Sequence, residues 1–454
     1  MFSRHVNSGR SRQGFAAAVR DEASRALVAS VAYRATADVV SKAVTLAITV
    51  AAARVLPATD FGVLAVAMTT GWILSVASDA GLPLFLAKHV AQEVNAGRPQ
   101  PFAAVSRVMR VRVGAGVVAA VAGLIVATVI VPVTSVAAFF VIVVAQLLIA
   151  VLETLAHAYR GIGRSDIESR VMLGQRSLTA AAAITVFLVH PSLLWVSVAL
   201  AVPPALALLL SVQIARGLFT GSQANTDALR LTWPRFAREV APVGAGILLS
   251  ALYFRCDVFF VERWHGLEAV GLYNSAFRSV EALRLLPAAL LAVTFPALCV
   301  AQDTTPLKRL SVALAASGVV IMGLLYATAP DVLAAVYGAR FVGAAPALQI
   351  LSLALPLFFV NYALTHQVIA WDGHRAYLAI AAAALTANLA LNTLLIPTRG
   401  LSGAAASTLI TELVVTAGCL IAIHAARAVK AVLPGAARNM EGRPFAVSVP
   451  GDSR

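Results

Sequence analysis

The 454 residues are 60% hydrophobic and only 12% charged, with a mean hydropathy of +0.85. Soluble chains carry roughly 45–50% apolar and about 25% charged residues, so composition excludes a water-soluble core and makes the bilayer the solvent of several hundred residues. The net charge of +14 would suggest nucleic acid in a soluble protein; here no nucleic-acid partner is expected, and the question becomes which side of the membrane the arginines face.

Residues 1–33 carry Arg4, Arg10, Arg12, Arg20 and Arg25 ahead of any long apolar run, with no small-residue cleavage site, and read as a retained cytoplasmic tail. Apolar segments of about 20 residues, enough to cross about 30 Å as helices, then follow near 35–56, 61–80, 108–131, 133–158, 171–189 and 192–215. They form an N-terminal unit over 34–216, interrupted at 87–107 by an expected amphipathic surface helix. A polar cytoplasmic linker over 217–238 halves the chain. A C-terminal unit over 239–428 holds spans near 240–261, 269–299, 310–329, 345–370, 376–396 and 401–426. Residues 429–454, polar and rich in Pro and Gly, read as a disordered cytoplasmic tail. The expected fold is therefore an all-α polytopic membrane protein of about twelve transmembrane helices.

Twelve spans put both termini on one side, and Lys and Arg accumulate in cytoplasmic loops. With the N-terminus inside, 27 of the 35 Lys and Arg fall in or beside cytoplasmic segments. Arg54, Arg263, Arg340 and Arg399 fall on the far side, and Lys42, Arg255, Arg278 and Arg284 within the membrane. The chain also repeats itself: "FGVLAVA" (61–67) opens the second span and "VGLYNSA" (270–276) the eighth, 209 residues later. "YRGIGRS" (159–165) and "IAWDGHR" (369–375) keep nearly the same offset, Gly163 to Gly373. Six spans per half is an even number, so the repeat is parallel, about an axis along the membrane normal, the architecture of transporters whose path runs between the halves.

Ionisable residues inside spans cost about 2.5–3.5 kcal/mol each when they face lipid, so Lys42, Arg255, Asp257, Arg278, Glu281 and Arg284 must face protein or a water-filled cavity. In "YFRCDVFF" (253–260), Arg255 and Asp257 are two residues apart, about 200° on a regular helix, and diverge. Arg278, Glu281 and Arg284 form a plus-minus-plus strip at i, i+3 and i+6. Arg34, Asp38 and Lys42 form another at i, i+4 and i+8. Counting depth back from the turn at 262–268 brings Arg278 level with about Tyr253. This predicts that Asp257 reaches Arg278 and that Arg255 faces the cavity. Four bases against two acids imply a cationic cavity for an anionic cargo, with phosphate held bidentately by arginine. The competing reading is that these charges only fix helix packing. Asp79 reads as a cap on the break before Pro83, Glu153, His157 and Tyr159 as a solvated helix end, and Asn361, His366, Asn388 and Asn392 as groups that bond between helices or line a cavity; Glu412 is the further buried acid suited to proton coupling.

Cys256, Cys299 and Cys419 all lie in apolar runs, which supports neither a disulfide framework nor a zinc site. No GxxxxGK[ST], HExxH, nucleophile elbow or GxGxxG appears. No enzymatic activity, metal or cofactor is expected; movement would draw on the membrane potential, an H+ or Na+ gradient, or substrate turnover on the two sides.

Three stretches resemble the polysaccharide-biosynthesis transporters, the O-antigen type lipid-linked oligosaccharide flippases of the multidrug/oligosaccharidyl-lipid/polysaccharide exporter superfamily. They are "ARVLPATDFGVLAVAMTTGWILSVASDAGLP" (53–83), "RCDVFFVERWHGLEAVGLYNSAFRSVEALRLLPAALLAVTFPALC" (255–299) and "VYGARFVGAAPALQILSLALPLFFVN" (336–361). The resemblance implies two six-helix bundles forming a V that alternates between inward and outward openings. It also implies a cavity lined by Lys42, Arg255, Arg278 and Arg284, with Asp257 and Glu281 as counter-ions; Asp38 and Glu412 join them as counter-ion or coupling candidates from their places in the first and twelfth spans. The implied cargo is a polyprenyl-pyrophosphate-linked sugar repeat unit flipped across the bacterial inner membrane, with a polysaccharide polymerase and glycosyltransferases as neighbours. The alternatives are a drug/cation antiporter of the same superfamily, a lipid II flippase, and a non-transporting scaffold.

Overall fold

The computed structural model describes residues 42–79, 81–95, 102–219, 241–300, 305–371 and 373–432; the expected N-terminal tail, Asp38, nearly all of the 217–238 linker and all of the expected C-terminal tail but 429–432, which continue a helix, lie outside them. Among the described residues every regular element is helical, because an apolar run in lipid must satisfy its own backbone polar groups. The N-terminal half contains α1 (42–55), α2 (Ala58–Asp79), α3 (Leu82–Asn95), α4 (Phe102–Ile130), α5 (Val133–Gly161), α6 (Ser165–Val189) and α7 (Leu193–Leu218). The C-terminal half contains α8 (Ala241–Arg255), α9 (Asp257–Leu283), α10 (Leu285–Val300), α11 (Thr305–Ala327) and α12 (Ala329–Val336). A 3-10 turn (Ala339–Ala344), α13 (Ala345–Leu353), α14 (Leu355–Ala370) and α15 (His374–Val432) complete it.

Eight stretches are long and apolar enough to cross a membrane, or nine if the bent pair formed by α13 and α14 counts as one. Two of the eight are each an antiparallel pair. Gly266, at φ 79°, folds α9 back, so that Arg255 meets Asn274 and Asp257 meets Tyr273. Gly400, at φ 55°, folds α15 back, so that Asn388 meets Ser407 and Thr411. Only glycine takes that backbone region without steric cost. Unfolding both pairs gives eleven apolar helices among the described residues, with α1 as the described part of a twelfth.

Three expected spans are broken. Pro287 has no N–H, and its ring would strike the Leu283 carbonyl, so α9 gives way to α10 at Arg284; Pro356 likewise separates α13 from α14 at a 44° bend. The seventh span breaks at Cys256 without a proline. There the Asp257 carboxylate accepts the Val258 amide at 2.9 Å, competing with the helix for the backbone. The expected surface helix at 87–107 begins earlier, as α3, and packs on α5.

The halves meet where the repeat places them. A Cβ on Gly62 would lie 1.8 Å from the Leu267 carbonyl oxygen, and one on Gly271 would lie 2.9 Å from that of Ala58. Gly62 and Gly271, like Ala58 and Leu267, are 209 residues apart, the offset of the repeated motifs. The two contacts are therefore one contact repeated by a twofold axis, as at an isologous interface. Phe61 and Phe341 stack edge-to-face beside it, centroids 5.6 Å apart, and His265 reaches the Ile396 carbonyl at 2.8 Å. This end is closed, and its turns carry Arg54, Arg263, Arg340 and Arg399. The outward faces of α4, α6 and α11 are studded with exposed residues such as Val118, Leu188 and Val320, as expected where lipid is the neighbour.

Candidate functional site

Between the halves, away from the closed end, lies a cavity of about 1070 Å³. Its walls follow helical spacing. α1 contributes Thr45 and Thr49, α2 Thr69, Trp72, Ser75 and Asp79, and α5 Gln146, Glu153 and His157. α6 adds Gln175, Arg176 and Thr179, and α8 with α9 adds Arg255, Arg278 and Glu281.

Arg255 ends α8 and is 3% exposed. Its Nη2 donates to Thr69 Oγ1 of the opposite half at 2.9 Å and to Asn274 Oδ1 at 3.1 Å, and the guanidinium lies over the Phe277 ring at 4.7 Å. Its Nη1 is buried without a hydrogen-bond partner. Arg278 Nη1 donates to Glu281 Oε2 at 2.7 Å, while its Nε is buried and unpartnered. Two arginines at the head of the cavity thus each keep an unused donor, the condition under which a buried polar group gains most from a ligand.

The expected pairing of Asp257 with Arg278 does not occur. Asp257 accepts from the Tyr273 hydroxyl and from the Val258 amide, because Tyr273 stands directly opposite it across the Gly266 turn. Arg278 is one turn further from that fold and takes the acid one turn along its own helix.

Arg284 does not line the cavity. It occupies the break between α9 and α10, its guanidinium 4.3 Å from the Phe254 ring and 5.2 Å from that of Phe358, inside the C-terminal half. Glu412 is also inside that half, 4% exposed, accepting from Asn361 Nδ2 at 2.7 Å. Lys42 is exposed and outside the lining.

Three basic residues of the lining, Lys88, Arg112 and Arg176, were not singled out in the sequence. Arg112, on α4, is 1% exposed, donates to Ser78 Oγ at 2.6 Å and the Ser75 carbonyl at 3.2 Å, and has a buried, unpartnered Nε. Arg176 follows Gln175, whose Oε1 is buried and unpartnered. The signal for Arg112 was its place in "RVMRVRV" (107–113): Arg110 and Arg112 point to opposite sides of a helix, so one must face protein. The lining holds five bases, Lys88, Arg112, Arg176, Arg255 and Arg278, and four acids, Asp79, Glu93, Glu153 and Glu281. The expected excess of two bases narrows to one, because Lys42, Arg284 and Asp257 fall outside the lining while α2 to α6 add three charges of each sign.

The sequence model of a family described as polysaccharide biosynthesis protein matches residues 27–302. Among solved structures, the inward-facing conformation of a multidrug resistance MATE family transporter of the MOP superfamily superposes with a TM-score of 0.62. It is 15% identical, over 86% of this chain and 95% of that one. The outward-facing conformation of such a transporter gives 0.58 at 15% identity, over 88% and 96%. A MOP superfamily transporter from Pyrococcus furiosus, described as having a binding pocket of reverse polarity, gives 0.57 at 14%, also over 88% and 96%. At such identity the likeness is one of fold. No curated protein matches the sequence.

Proposed function

The chain belongs to the polysaccharide biosynthesis protein family, and from that premise we propose that it flips a polyprenyl-pyrophosphate-linked oligosaccharide across the bacterial cell membrane, from the cytoplasmic to the outer leaflet. The observation that carries this reading is the head of the cavity. Arg255 Nη1 and Arg278 Nε are buried donors without partners, and arginine matches phosphate in geometry and charge. The pyrophosphate binds there, the sugars occupy the polar remainder of the roughly 1070 Å³, and the polyprenyl tail stays in lipid.

The closed end, with four basic residues, is the outer one, and the cavity opens to the cytoplasm, where the carrier is loaded; both termini are cytoplasmic. Turnover draws on the membrane potential or on an H+ or Na+ gradient, with Glu412 or Asp257 as candidate coupling acids. A polymerase and the glycosyltransferases that assemble the repeat unit are the functional neighbours.

The test is a clean deletion complemented with wild type or R278Q. Loss of surface glycan with sugar-lipid accumulating inside, restored by wild type and not by R278Q at equal membrane abundance, is the expected result. Normal glycan export in the deletion would remove the reading. A drug/cation antiporter is the second reading, favoured by the four acids of the lining. Efflux of cationic dyes on expression, lost in E281Q, would establish it instead.

A further inference from the structure

Lys and Arg are scarce on the translocated side of a membrane protein, so the four arginines at the closed end, Arg54, Arg263, Arg340 and Arg399, call for a reason. Two of them have one in common. Arg340, of the C-terminal half, donates through Nη2 to the carbonyls of Ala53 and Leu56, the latter at 2.6 Å, at the end of α1. Arg54, at the end of α1 in the N-terminal half, donates through Nε to the Val336 carbonyl at 2.8 Å and through Nη2 to that of Ala335, at the end of α12. Each half supplies an arginine to the helix C-terminus of the other.

The acceptors are free for reasons written in the sequence. The Ala53 carbonyl would bond the N–H of residue 57, but Pro57 has none. At the end of α12 the Tyr337 and Gly338 amides close back on Leu333 and Ala334, so the carbonyls of Ala335 and Val336 have no amide within the helix. The C-terminal carbonyls of a helix carry the negative end of its dipole, which a cation stabilises.

Four charge-assisted hydrogen bonds therefore cross the closed end, beside the Gly62–Leu267 and Gly271–Ala58 contacts of the repeat axis. Arg340 also lies over the Phe341 ring at 5.1 Å, and that ring packs on Phe61.

We propose that Arg54 and Arg340 form a reciprocal latch holding the outer end shut while the cavity is open to the other side. Opening that end must break all four bonds, because donor and acceptor of each belong to different halves. Arg54 is exposed, so water can take over the separated groups, and the latch releases without leaving buried orphans. Neither bond set touches the cavity lining, which makes this a positional device and not part of cargo binding. It rests on alternation of access and is independent of what the cargo is.

The test is cysteine accessibility in intact cells. In a background with Cys256, Cys299 and Cys419 replaced by alanine, Met68→Cys places a thiol in the cavity lining, to be probed with a membrane-impermeant maleimide from outside. We expect weak labelling with both arginines present, a several-fold rise in R54A/R340A, a smaller rise in either single variant, and no rise in R263A, which removes the same charge at the same end but breaks no bond between the halves. Labelling of R54A/R340A at the level of its parent would overturn the proposal, as would an equal rise in R263A, which would mean that charge alone sets the equilibrium. If the double variant does not reach the membrane, R340A decides by the same criteria. Glycan export forms no part of the readout, so failure of the cargo reading leaves this test intact.

Discussion

Arg278 and Glu281, one turn apart on α9, were legible as a pair from their spacing alone. Side-chain exposures of 18% and 32% leave the pair part-buried at the wall of an open cavity, where solvent screening holds its bond to about 1 kcal/mol, so their worth lies in what they present to the cavity. R278Q is accordingly expected to leave thermal stability in detergent nearly unchanged while lowering glycan export on the order of tenfold or more, the size of a lost charge-assisted bond. A fall in both together would mark the residue as structural. Asp257 gives the opposite expectation. Being 1% exposed and bonded by the Tyr273 hydroxyl, it loses a partner in Y273F, which should destabilise the protein by about 1–3 kcal/mol, seen as a lower unfolding temperature. The depth count along two ideal helices sets Asp257 level with Tyr273, the partner it takes, and Arg278 more than a turn away; the expected pairing followed charge complementarity, which a neutral hydroxyl does not announce. Arg284 was misread for a different reason. Spacing placed it on the strip with Arg278 and Glu281, but Pro287 ends the helix just there and turns the side chain toward Phe254 and Phe358.

At the level of elements, the breaks at Arg284 and Ala354 were present in the sequence as Pro287 and Pro356, whereas the break at Cys256 depends on a carboxylate taking a backbone amide and has no such marker. α2 was recognisable as a span but not as the central one. Its residues from Phe61 to Ala67 are all buried, since it contacts both halves, and a helix buried on every side has no apolar stripe to read. Its crossing with α9 depends on the absence of a side chain at two positions. Gly62→Ala puts a methyl group 1.8 Å from the Leu267 carbonyl oxygen, and overpacking of this kind costs about 1–3 kcal/mol. The expected outcome is separation at the closed end, with the Met68→Cys thiol labelled from outside several-fold more than in its parent. Unchanged labelling would show that the halves do not bear on one another there.

On the scale of the whole molecule, one end is sealed by glycine contacts, aromatic edges and the two arginines, and the other is open. Gln92→Cys, on the exposed part of the lining beside the end of α5 at Gly161, is therefore expected to react in inside-out vesicles and to resist the same reagent in intact cells. The reverse pattern would invert the assignment of sides. The structural likeness to an inward-facing and an outward-facing transporter is one of fold.

The sequence by itself determined the solvent, the helices, the parallel repeat and the end at which four arginines gather, because these follow from apolar length, periodicity and offset, which are local or translational properties. Only the tertiary structure decided which charges share the cavity, that Arg112 and Arg176 join it and Arg284 and Glu412 leave it, and that Arg54 and Arg340 exchange helix ends. Each of those depends on the rotation of a helix about its axis and on where a neighbour stops, quantities fixed by packing between elements far apart in the chain.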